Sequence, residues 1–258
     1  MESPQDKTIN RDATFNKLKS LRIKFLTIPF STFTILIFFN TAVIGQDFTV
    51  QRQKMVKDQI EARGINNPDV LRAMLRVERE KFVPAKLKND AYGDYPLPIG
   101  EGQTISQPYI VALMTQLLGP SKDKKILEIG TGSGYQAAVL SEIFGEVYTI
   151  EIIPSLAEKA KKRFKELGYL NIYTKTGDGY QGWAEHAPYD GIIVTCASSD
   201  IPQPLKDQLK VGGKMVIPVG SGYAQQLEVV TKNKGRYVKR NIVPVMFVPM
   251  KNEKGEKY

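Results

Sequence analysis

The sequence predicts an α/β protein built on a doubly wound, mostly parallel sheet, with short helices before it and an antiparallel hairpin at its end. Three observations predict this. From Lys124 onward, short apolar runs alternate with segments of helical periodicity, which is how a parallel sheet covered on both faces is written. Leu127-Glu128-Ile129-Gly130-Thr131-Gly132-Ser133-Gly134 places alternate glycines between a strand and a helix, where the chain must turn sharply and a ligand can approach the backbone. After Gly220 the rhythm changes to strand, turn, strand, a hairpin signal.

Element by element, the chain begins with a separate segment. Lys17, Lys19, Arg22 and Lys24 precede an apolar stretch from Phe25 to Phe39, followed by the small-residue segment Thr41–Gly45. Three readings stay open: a secretory signal peptide, a membrane anchor through residues 21–45, or translation from Met55. The expected organisation is therefore an extension over 1–50, a globular domain over 51–250 and a polar tail over 251–258. Val56 and Ile60, then Val70, Leu71, Met74 and Leu75, recur at helical spacing around Asn66-Asn67-Pro68, predicting two short helices. Tyr92 to Pro108 is rich in Gly and Pro yet holds Leu97, Ile99 and Ile105, so it reads as an ordered loop. Val111 to Leu118 reads as a helix stopped by Gly119-Pro120.

Strands are expected at 124–129, 147–151, 171–176, 191–195 and 215–219, with helices reaching Phe144 and Leu167. In the second of these helices Pro154 suits the first turn, Leu156, Ala160, Phe164 and Leu167 share a face, and Gly168 ends it. The hairpin runs from Leu227 to Val248 about Asn233-Lys234-Gly235. Lys251 to Tyr258 reads as frayed.

Composition narrows the chemistry. The chain has 258 residues and a net charge of +9, but the basic residues are dispersed, which argues for a solvated surface and against a nucleic-acid groove. One cysteine, Cys196, and one histidine, His186, leave no disulfide framework, no zinc cluster and no metal site. Cys196 ends an apolar run and reads as a buried structural thiol, and His186 as a surface histidine. The G-x-G-x-G spacing departs from the dinucleotide fingerprint, so pyrophosphate is a poor match. Three carboxylates follow three successive strands: Glu128, Glu151 and Asp178. In a doubly wound sheet the ligand lies outside the carboxyl ends of the strands. Glu128 suits a ligand with a cationic end, Glu151 can accept from both ribose hydroxyls, and Asp178, beside Gly179, can accept from an adenine amino group.

With these residues in place the chain resembles the class I S-adenosylmethionine-dependent methyltransferases, whose Rossmann-like sheet also ends in an antiparallel hairpin. Leu97-Pro98-Ile99-Gly100-Glu101-Gly102-Gln103-Thr104-Ile105-Ser106-Gln107-Pro108-Tyr109 is similar to the signature loop of the protein-L-isoaspartate O-methyltransferases, as are Arg79–Val83 and Gly177–Trp183. The similarity runs from about Met55 to Met250. It implies methyl transfer from S-adenosyl-L-methionine to the α-carboxylate of L-isoaspartyl residues in damaged proteins and peptides. It implies a cofactor held by Glu128, Gly130, Thr131, Gly132, Gly134, Glu151, Asp178 and Gly179. Ser106 would orient the substrate carboxylate, with Thr104, Ile105 and Val219 beside the substrate. A helix N-cap is the competing reading of Ser106. Two functional alternatives stay open: a class I enzyme acting on a small molecule, and a non-catalytic module that binds S-adenosylmethionine.

Overall fold

The computed structural model describes residues 47–222 and 224–258. The expected segment 21–45, with its export and membrane readings, lies outside the described residues. Among the described residues no helix is long and apolar enough to cross a membrane.

The two short helices expected first are present. α1 (Thr49–Lys54) runs on through a π-helical turn (Met55–Ile60) and a 3-10 turn (Glu61–Arg63), with Met55, Val56 and Ile60 buried. α2 (Pro68–Arg76) starts where Asn67 accepts hydrogen bonds from the amides of Asp69 (3.0 Å) and Val70 (3.2 Å), with proline in the first turn.

The stretch read as an ordered loop contains a small hairpin. β1 (Leu97–Gly100) and β2 (Gln103–Ile105) pair antiparallel, Leu97 with Ile105 and Pro98 with Thr104. Pro98 and the brevity of each strand hid the pattern, and a two-stranded ribbon tolerates a proline that a central strand would not. The turn between them is tight: Gly100, Glu101 and Gly102 all have positive φ, 97°, 54° and 67°. α3 (Pro108–Leu117) begins three residues earlier than its apolar spacing suggests, on Pro108.

The main sheet has seven strands: β3 (Lys125–Ile129), β4 (Glu146–Glu151), β5 (Ile172–Thr176), β6 (Tyr189–Val194), β7 (Leu209–Ser221), β8 (Ala224–Asn233) and β9 (Arg236–Val245). Their order is β5-β4-β3-β6-β7-β8-β9. The first five are parallel, and β8 and β9 add antiparallel, as the change of rhythm after Gly220 predicts. α4 (Tyr135–Ser141) and α5 (Pro154–Leu167) cross over, α5 ending at Leu167 as expected and α4 three residues short of the expected Phe144. α6 (Gln203–Gln208) was not legible, being six residues long with Pro202 at its N-cap and Pro204 in its first turn. Alternate residues of the strands feed opposite layers: Ile126, Ile193 and Val216 pack on one face, Leu127, Ile192 and Met215 on the other. Both faces are buried, which is why the runs are continuously apolar. The sheet order reverses between β3 and β6, and the ends of these two strands flank the crevice where ligands bind in such folds.

The tail overturns its reading as frayed. Tyr258 donates its amide to Met250 (3.2 Å) and accepts at its carbonyl from Ser199 (3.3 Å). Its ring stacks on Tyr180 with centroids 4.1 Å apart, and its hydroxyl donates to Asp178. The polar composition of 251–258 reflects a turn in which Asn252 Oδ1 accepts the amides of Lys254 and Glu256.

Candidate active site

Two adjacent spaces open at the carboxyl ends of the strands. The larger is a cavity of about 340 Å³, within the range of small-ligand sites. Its wall includes Gly130 and Gly132 from the glycine loop, Glu151 from the end of β4, Gly179, and Thr195-Cys196 after β6. The smaller is a recess of about 30 Å³ lined by Ile105, Ser106, Thr131, Tyr135 and Gln136, among others. Thr104, Gly130, Gly132 and Thr195 line both, so the recess and the cavity share a wall.

The glycine loop is shaped by its neighbours. Gly130 (φ +95°) passes so close to Thr195 that a Cβ would lie 2.4 Å from the threonine Oγ1. That hydroxyl is in turn held by the carbonyls of Ile129 (2.9 Å) and Gly130 (2.7 Å). Gly134 (φ +89°) abuts Phe164, where a Cβ would stand 2.6 Å from the ring. Both positions require glycine on conformational and steric grounds. The loop amides are mostly spent within the protein: those of Gly130 and Thr131 donate to the Ile150 carbonyl, that of Gly134 to Thr131, and that of Gly132 to Glu151. A cradle for pyrophosphate would leave such amides free, so the loop fits a ligand approached through its glycine surface.

The three carboxylates do different work. Glu151 Oε2 accepts from Gly132 N at 2.7 Å and Oε1 from Ile153 N at 3.0 Å. Its side chain remains on the cavity wall, and each oxygen keeps a lone pair for a ligand hydroxyl. Burial raises its pKa, and the backbone amides of Ile153 and Gly132 oppose that rise. Glu128, expected at the cofactor, is buried and does not line the cavity. It is 0% exposed and lies beneath the loop, where Thr149 Oγ1 donates to Oε2 and joins the Thr131 hydroxyl (2.6 Å). Its Oε1 is buried with no partner. Asp178 likewise lies off the cavity wall, with Oδ1 accepting from Tyr180 N (2.9 Å) and Oδ2 from the Tyr258 hydroxyl. Its neighbour Gly179 does line the cavity.

Burial holds the Glu128 carboxyl well above the usual carboxylate range, at about 8. The ligand-free folded chain therefore binds a proton more readily than the unfolded chain between the ordinary glutamate pKa and about 8. That contribution to stability is full at acidic pH and is lost as pH rises through about 8. The melting temperature of the ligand-free protein is expected to fall between pH 5 and 8, and Glu128→Gln to flatten this slope. Thermal melts of both proteins across that window check it, and identical slopes would refute the assignment.

Ser106 stands between β2 and α3, half-buried. Gln107 is the N-cap of α3, and the cap makes no side-chain hydrogen bond. The N-cap reading of Ser106 is thereby set aside, and Ser106 lines the recess. Thr104 and Ile105 adjoin it as expected, Ile105 being 4% exposed. Val219 is not brought to either space; its strand is bridged to Ser198. Cys196, read as a buried structural thiol, is partly buried against the core and also lines the cavity; burial pushes its pKa up to about 12, so it stays a neutral thiol. His186 sits among aromatics, 4.4 Å from Tyr148 and 4.8 Å from Trp183 between ring centroids. Sequence reasoning missed Thr195 and the segment Val248–Glu253, which also lines the cavity. Thr195 was within reach, because it follows the strand on the far side of the switch point. The tail segment carried no local signal.

Comparison with known proteins matches the chain to one family. The family model of protein-L-isoaspartate(D-aspartate) O-methyltransferase matches residues 50–255. A protein-L-isoaspartate O-methyltransferase of Picosynechococcus is 56% identical over 199 residues, 77% of this chain and 89% of the relative. One from Dictyoglomus turgidum is 54% identical over 206 residues, 80% and 94% of the two chains. Among solved structures, a protein-L-isoaspartate O-methyltransferase superposes with a TM-score of 0.72 at 29% identity, covering 79% of this chain and 67% of the other. A Plasmodium falciparum beta-aspartate methyltransferase in complex with S-adenosyl-L-homocysteine superposes with a TM-score of 0.66 at 27% identity, covering 80% and 99%. With the family model spanning nearly all the described residues, the chain belongs to the protein-L-isoaspartate(D-aspartate) O-methyltransferase family.

Proposed function

We infer that this chain is a protein-repair enzyme that methylates the α-carboxylate of L-isoaspartyl residues with S-adenosyl-L-methionine, and that Ser106 orients the carboxylate. The observation that carries the reading is the shared wall: a nucleoside-sized cavity bounded by Glu151 and the glycine loop opens beside a small polar recess at Ser106. The residues present fit the cofactor. Glu151 offers acceptors to a ribose, and the close-packed glycines leave room for the chain of a sulfonium ligand.

S-adenosyl-L-methionine supplies a methyl group on a positively charged sulfur. The protein's part is to place a carboxylate oxygen in line with the carbon–sulfur bond and to keep water out. The oxygen–carbon bond forms as the carbon–sulfur bond breaks, the bonding pair leaves with sulfur, and no proton moves. A general base is therefore unnecessary, and the rate rests on orientation and exclusion of solvent. The Ser106 hydroxyl donates to one carboxylate oxygen and directs the other. Ile105, almost wholly buried, supplies an apolar wall. The product ester then cyclises to a succinimide, whose hydrolysis returns some normal aspartate.

Protein comprising residues 46–258 is expected to transfer labelled methyl to an isoaspartyl peptide and not to its aspartyl isomer. Cofactor binding without transfer would sink the enzyme reading and leave the binding-module alternative. The site of action rests on residues 17–45, and sequencing the mature N-terminus decides it. Gln46 first means export, Met55 first means a cytosolic enzyme, and an intact start means anchoring.

A further inference from the structure

A wholly buried cation stands behind the Ser106 recess. Arg79 is 0% exposed; Nε donates to the Ala91 carbonyl at 2.7 Å and Nη2 to the Ser106 carbonyl at 2.8 Å. Nη1 is buried with no hydrogen-bond partner. The guanidinium lies 4.8 Å from the ring centre of Tyr135, and Tyr135 and Ser106 both line the recess. Both hydrogen-bond partners are neutral carbonyls. A buried charge held only by neutral groups is expensive and is compensated when an anion arrives nearby.

The chemistry explains why the charge is set one layer back. The reaction joins a carboxylate to a positively charged methyl donor, so one charge of each sign is partly neutralised at the transition state and gone in the products. A lysine or arginine on the recess wall would hold the ionised substrate too firmly and repel the sulfonium. Among the described residues lining the recess there is neither. A neutral hydroxyl makes the contact, and the cation acts from behind it.

We propose that Arg79 is a positioning residue that fixes the Ser106 backbone and, through its charge, selects an ionised carboxylate in the recess. The proposal rests on the isoaspartyl reading of the site. It is tested by measuring the binding of an isoaspartyl peptide and of its α-carboxamide to protein saturated with S-adenosyl-L-homocysteine. Wild-type protein is expected to prefer the acid, and Arg79→Met to reduce that preference about tenfold, the loss of one modest charge interaction, with S-adenosyl-L-homocysteine affinity within about twofold. Arg79→Lys keeps the charge and is expected to retain most of the preference, while turnover falls because the tie to Ser106 is altered. This second variant keeps the test decisive should the methionine variant fold poorly. An unchanged preference in Arg79→Met, or its disappearance in folded Arg79→Lys, overturns the proposal. Absence of methyl transfer by the wild-type protein would instead overturn the isoaspartyl reading.

Discussion

Ser106→Ala is expected to lower kcat on an isoaspartyl peptide by roughly 10- to 100-fold, the equivalent of one hydrogen bond to a charged group. Ser106 lines the recess and is not the cap of α3, so removal of its hydroxyl should cost little stability. Because Ser106 lines the recess and not the larger cavity, S-adenosyl-L-homocysteine should bind the variant as it binds the wild type. Steady-state kinetics with a parallel calorimetric titration separate the effects. Equal loss of turnover and cofactor affinity would show that Ser106 merely supports the loop. Ser106→Thr should recover part of the rate if the recess admits the extra methyl, because the donor is retained.

Glu151→Ala is expected to weaken binding of S-adenosyl-L-homocysteine by about 100-fold or more, since each hydrogen bond to a charged group contributes ~1.5–3 kcal/mol. The loss has two sources. Glu151 lines the cavity, and on the proposed reading its carboxylate accepts ribose hydroxyls. It also accepts the amides of Gly132 and Ile153, which in the alanine variant are left without their partner, loosening the glycine loop that walls both spaces. Glu151→Gln retains an amide oxygen able to accept one of them and should fall between wild type and alanine. Calorimetry on the three proteins checks the ranking. A glutamine variant as weak as alanine would mean that charge, not the two backbone contacts, dominates.

How far the site could be read from residues differs from one carboxylate to the next. Glu151 was legible because it closes a strand next to the glycine loop, and the end of a parallel strand opens on the ligand crevice whatever surrounds it. Glu128 closes a strand by the same rule, yet its side chain points under the loop. Its position within β3 places it on the face shared with Ile126, and only the pairing with Thr149 shows what lies there. Asp178, expected at the ligand, accepts hydrogen bonds from the Tyr258 hydroxyl and the Tyr180 amide. That contact joins residues 80 apart in the chain, and nothing in the local pattern of either announces it. Arg79 opens the Arg79–Val83 segment that resembles the family, but the resemblance assigns it no role. Its burial and its tie to Ser106 arise only when the segment before the β1–β2 hairpin packs against α4.

The sequence by itself determined the α/β alternation, the antiparallel end of the sheet, the glycine turn and the Thr104-Ile105-Ser106 segment. These are legible because periodicity and backbone freedom act over a few neighbouring residues, and each residue's own chemistry declares them. Only the tertiary structure decided which carboxylate faces the cavity, that the tail forms part of its wall, and that the Ser106 recess shares a wall with it and has a buried arginine behind. Such juxtapositions depend on strand order and on side-chain packing between distant segments, and the physical forces that select them act through space rather than along the chain.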